Sequence, residues 1–119
     1  MQDLDDHALL RDYAERGSGA AFAEIVRRYV NQVYSTALRH TRTPHPAEEI
    51  TQAVFTLLAQ KAGTLRKEVI LSGWLYRTAR LTAVTWLRSE IRRARREQEA
   101  LMNNSPEENE AEAWQQIAP

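Results

Sequence analysis

Apolar positions recur at intervals of three and four residues along most of this chain, the period of an amphipathic helix. The pattern is broadest over residues 20–40, where Phe22, Ile25, Val26, Tyr29, Val30, Val33, Ala37 and Leu38 share one side. A shorter helix with Leu4, Ala8 and Leu9 precedes it; Asp3 suits its N-cap, and Gly17 its end after Arg16. Residues 41–46 contain two prolines and read as a loop, with Pro46 suited to the first position of a third helix. Ile50, Val54, Leu57 and Leu58 give that helix a core face, and Gly63 stops it. Residues 63–72, GTLRKEVILS, form the next connection. Ser72 offers a cap for a long last helix to about residue 101, before Asn103, Asn104, Ser105 and Pro106 break it. Strand-like alternation, internal repeats and a glycine-rich phosphate loop are all absent from the sequence. The predicted fold class is all-α: a compact bundle of three or four helices with a long basic final helix and an acidic, mostly flexible C-terminal tail. Within the tail, Ser105 and Glu108 fit a capping box with Pro106 at the first helical position. A short helix bearing Trp114 and Ile117 could follow, marginal by itself.

Composition narrows the class. A length of 119 residues with 43% hydrophobic content suits one small domain with one core. No apolar run approaches the roughly 20 residues that span a bilayer, and the acidic start MQDLDDHALL is unlike a signal peptide. The expectation is a soluble, cytoplasmic protein without a membrane partner. Cysteine is absent, and His7, His40 and His45 are the only histidines, too few ligands for a metal site. With no nucleophile–base constellation and no cofactor motif either, an enzyme is not expected.

Charge changes the picture more. The formal net charge is 0, yet residues 1–60 carry −2, residues 61–96 carry +8 and residues 97–119 carry −6. Charge clustered in this way acts over about a Debye length, roughly 8 Å at physiological salt, so segregation matters more than the sum. The positive block centres on GWLYRTARLTAVTWLRSEIRRARRE, residues 73–97. At about 100° per residue, Arg77, Arg80, Arg88, Arg92 and Arg95 fall within roughly 120° of one another, opposite Leu75, Ala79, Thr82, Ala83 and Trp86. Glu90 is the sole acid between Glu68 and Glu97, so pairing along the helix cannot neutralise the stripe. A cationic helix face of this kind is the footprint of a nucleic-acid contact. Trp74 borders the stripe, where it either stacks on an unpaired base or anchors the connection before it; Trp86 falls with the core.

The segments AFAEIVRRYVNQVYSTALR, AEEITQAVF and GWLYRTAR, in this order and spacing, resemble bacterial sigma factors of the sigma-70 family. The nearest group is the extracytoplasmic-function class, whose region-two domain looks like residues 4–100. The resemblance implies a transcription initiation factor domain over residues 1–102 that docks on core RNA polymerase and recognises and melts the promoter minus-ten element. Residues 103–119 would be an acidic linker toward a C-terminal domain that this sequence lacks. By the same resemblance, Glu48, Glu49, Ile50 and Gln52 would meet the clamp helices of the beta-prime subunit. Relatives often carry a second acid where this chain has Ala53. The connection 63–72, with Arg66 and Lys67, would hold a base flipped from the minus-ten element. Trp74, Arg77, Arg80, Arg88, Arg92 and Arg95 would follow the non-template single strand. Many relatives have Asn and Asp where this chain has Leu81 and Thr85, so the preferred promoter sequence does not carry over. The resemblance also admits an anti-sigma factor as a partner. Two rival readings stay open: a polymerase-independent basic-helix DNA binder, and a helical interaction module whose acidic tail screens the basic helix.

Overall fold

A computed structural model of the chain describes residues 5–103. They form four helices: α1 (Asp6–Arg16), α2 (Gly19–Thr41), α3 (Pro44–Lys61) and α4 (Leu71–Asn103). Among the described residues there is no strand, and no helix is long and apolar enough to cross a membrane. The all-α expectation holds. The chain divides into two compact units, Met1–Thr85 and Trp86–Pro119, so α4 contributes residues to each.

In the first unit α2 is the element on which both α1 and α3 pack. Its buried positions Ala21, Ile25, Val33 and Ala37 meet Leu9 and Leu10 of α1 and Ala47, Ile50, Val54, Phe55 and Leu58 of α3 in one core. Leu71, Leu75, Ala79 and Ala83 of α4 are buried as well. Phe22, Val26, Tyr29, Val30 and Leu38, expected on the same α2 face, are half-buried, which gives that face its breadth. Polar ties supplement the apolar contacts between α1 and α2. Arg28 reaches Asp6 at 3.2 Å, and the Tyr29 hydroxyl donates to the same carboxylate. Burial, and then the Asp6 hydrogen bond, push the Tyr29 hydroxyl up to about 12, so it remains protonated and able to donate.

Element ends depart from the sequence expectations for local reasons. The N-cap of α1 is Asp5, whose Oδ1 accepts from the Ala8 amide at 2.7 Å. Asp3 and Leu4 lie outside the described residues. Gly17 ends α1 as expected, with φ 66° and its amide bonded to the Tyr13 carbonyl at 2.8 Å. Ser18 caps α2 at once, its Oγ accepting from Ala21 at 3.1 Å, so the corner is two residues long. Arg42 closes α2 in the same left-handed conformation, φ 62°, where a non-glycine residue pays roughly 1 kcal/mol.

The predicted proline loop 41–46 is shorter than expected, because α3 starts at Pro44 rather than Pro46. Amides in the first turn have no partner inside the helix, so both prolines fit there. Glu48 and Glu49, which suit the positive end of a helix dipole if α3 begins at Pro46, instead lie beyond the first turn, which contains no acid. The helix dipole is therefore not what they serve. Likewise α4 starts at Leu71, with the Trp74 amide bonded to the Ile70 carbonyl at 3.0 Å, so Ser72 is inside the helix and is not its cap. The connection shrinks from 63–72 to 62–70. At the other end α4 includes Asn103, expected to break it, while the capping box of Ser105 and Glu108, Trp114 and Ile117 fall outside the described residues.

Truncating the fully buried Leu75 to Ala should lower unfolding free energy by about 2–5 kcal/mol. Leu81→Ala, at a position 67% exposed, should change it by less than about 0.5 kcal/mol. Urea midpoints at constant m-value make the comparison. Asp5→Ala should destabilise by about 1 kcal/mol through loss of the cap, read from the same midpoint.

Candidate nucleic-acid interface

Two exposed surfaces carry the candidate residues. In the first unit, α4 buries Leu75 and Ala79 and so turns Arg77 and Arg80 to solvent. Arg66 and Lys67 are exposed in the connection just before the helix. Among the described residues none of these four cations has a carboxylate partner. Trp74 is half-buried at the start of α4. In the second unit Arg88, Arg92 and Arg95 are exposed and, among the described residues, also without ion pairs. The nearby acids are taken up by Arg93, which meets Glu90 at 2.8 Å and Glu97 at 3.9 Å. Trp86, expected in the core, is half-buried, and so is Thr82, whose hydroxyl donates to the Thr78 carbonyl at 2.7 Å.

An exposed guanidinium with no internal partner keeps its full charge for an external polyanion. Tyr76 adds what the sequence reading left out. It is 45% exposed, next to Arg77, and presents an aromatic surface on which a base can stack. Its angular position, off the apolar stripe of α4, was the available signal.

On α3, Glu48, Glu49 and Gln52 are exposed, while Ile50 is only 3% exposed. Ile50, spaced between the polar positions, faces the core and so fixes the helix that presents them. Glu49 pairs with His45 at 2.9 Å, but both side chains are largely exposed, so the pair is weak and available for exchange. Beside Gln52 a groove of about 550 Å³ runs between α2 and α3, lined by Phe22, Val26, Val30 and Phe55.

The connection 62–70 is ordered by its own backbone. Thr64 and Leu65 amides bond to the Lys61 carbonyl at 2.9 and 3.2 Å, and Val69 to Arg66 at 3.0 Å. Two side chains reach it and the helix start from elsewhere in the first unit. His7 Nε2 donates to the Val69 carbonyl at 2.6 Å, and Gln32 Nε2 to the Ser72 carbonyl at 3.0 Å.

Among the described residues, cations without carboxylate partners are thus exposed on α4, and two acids and an amide are exposed on α3. The family description sigma-70 region 2 matches residues 25–98, from α2 through most of α4, and the chain belongs to that family. It is accordingly a non-enzymatic transcription initiation factor domain that binds core RNA polymerase and recognises promoter DNA. Comparison with curated proteins gives no match.

Charge reversal at Arg77 and Arg80 together should weaken single-stranded DNA binding at least about tenfold for every sequence tested. It should also flatten the plot of log affinity against log salt by about 1–2. Fluorescence anisotropy between low and physiological salt measures both.

Proposed function

We propose that this chain is the region-two domain of an extracytoplasmic-function sigma factor, acting in the cytoplasm, with residues 103–119 as a linker. The observation that carries the DNA side is the set of exposed, unpaired arginines at Arg77 and Arg80 inside the family-matched segment. They follow the phosphates of the non-template strand, aided by Arg88, Arg92 and Arg95 farther along α4. Arg66, Lys67 and the backbone of the connection 62–70 surround one base flipped out of the minus-ten element. A loop suits that task because its backbone groups are not consumed by a helical ladder. Trp74 buttresses this connection. Unstacking a base costs a few kcal/mol, and stacking plus phosphate contacts must offset it. Strand opening is then driven by preference for the unpaired strand, with the bond chemistry left to the polymerase.

For docking, Glu48, Glu49 and Gln52 face the clamp helices of the beta-prime subunit, offering acceptors to arginines of a partner helix. Support comes from their exposure and from the start of α3 at Pro44, which removes the helix-dipole explanation of the two acids. An anti-sigma factor would compete for the same exposed surfaces.

Calorimetric titration into a beta-prime clamp-helix fragment tests the assignment. Saturable binding at micromolar affinity or better is expected, reduced at least about tenfold by Glu49→Arg with Gln52→Ala. Unchanged binding by that double variant would reject the docking surface, and no binding by the parent chain would favour polymerase-independent DNA binding.

A further inference from the structure

α1 lies before the family-matched segment, which starts at residue 25, yet it holds the connection assigned above to base capture. The tie is the His7 imidazole, whose Nε2 donates to the Val69 carbonyl at 2.6 Å across 62 positions of sequence. Val69 is the last residue but one before α4, so its carbonyl sets where the loop joins the helix carrying Arg77 and Arg80. A cavity of about 160 Å³ opens between α1 and the connection, bordered by His7, Leu10, Arg11, Gly63, Leu65 and Lys67. Ile70, the next residue, is 74% exposed. His7 is in turn held in place by its neighbour Asp6, which takes Arg28 and Tyr29 of α2. Asp6 and His7 therefore link α2, on which α1 and α3 pack, to the loop in two consecutive residues.

We propose that His7 is a positioning residue for capture of the unpaired base: through its bond to the Val69 carbonyl, α1 sets the loop in its binding conformation before DNA arrives. The proposal rests on the capture role given to the connection under Proposed function. A loop already ordered loses less freedom on binding, so the tie acts on single-strand affinity and leaves the α3 surface untouched. The acceptor is a backbone carbonyl, so either ring state that carries a proton on Nε2 can make the bond. A glutamine, whose amide Nε2 can reach a similar point, is the conservative replacement.

The experiment uses the full chain with core RNA polymerase and a minus-ten non-template oligonucleotide carrying 2-aminopurine at successive positions. The parent should give a fluorescence rise at one position, reporting an unstacked base. His7→Ala should weaken binding of that oligonucleotide about tenfold and remove the rise, and His7→Gln should restore both to within about threefold. Amide hydrogen exchange should quicken at residues 65–70 in His7→Ala alone, while affinity for the clamp-helix fragment and far-ultraviolet dichroism stay unchanged in both variants. Equal capture by parent and His7→Ala overturns the proposal. So does a loss in His7→Ala that His7→Gln fails to restore, or one matched by lost helicity or lost clamp-helix binding. If the parent itself shows no unstacked base, the capture role of the connection fails first, and the proposal falls with it.

Discussion

Burial of α2 is the constraint on which the first unit depends. Ile25, Val33 and Ala37 have no exposed surface, and both neighbouring helices in sequence pack on α2. Burying an aliphatic side chain contributes about 1.5–3 kcal/mol, against about 0–1 kcal/mol for an exposed ion pair. Apolar contacts therefore orient the helices, and charged residues occupy the faces that remain. Even the polar groups inside conform: buried Thr36 and Thr51 return their hydroxyls to the Gln32 and Ala47 carbonyls at 3.0 and 2.7 Å. No buried side-chain polar atom among the described residues lacks a hydrogen-bond partner.

The two candidate surfaces follow from what that core leaves outside. When Ile50, Val54 and Leu58 turn inward, Glu48, Glu49 and Gln52 must turn outward at the helical period. When Leu75 and Ala79 turn inward, Arg77 and Arg80 are set in water. The lack of internal carboxylate partners then matters more than the number of arginines. Arg28, held by Asp6 and Glu24, and Arg93, held by Glu90 and Glu97, are cations already engaged. Glu24 shows what such engagement does: hydrogen bonding to Arg27 holds its carboxyl down at about 2. A net charge of 0 is compatible with polyanion binding because engaged and unengaged charges are segregated along the chain.

Legibility of the sequence varied with the range of the interaction. The four helices and their inward residues were readable because a 3.6-residue period is local information, and Gly17 was readable because a left-handed cap favours glycine. The start of α3 was misplaced because either proline satisfies a first turn, and only the surrounding packing chooses between them. Ile50 stands within a polar motif, and its neighbours at four and eight residues, Val54 and Leu58, mark the core side on which it is buried. Trp86 matched the apolar stripe by angle, but an angle states which way a side chain points and not whether another element covers it.

The sequence by itself determined the helical class, the segregated charge and the family, because each is carried by residue order over short spans. Tertiary structure decided which charges are left without partners, that Ile50 is an anchor, that Tyr76 is exposed beside Arg77, and that His7 reaches the Val69 carbonyl. Those outcomes depend on contacts between residues tens of positions apart. Only the packing of α1, α2, α3 and the first part of α4 around a shared core sets such distances.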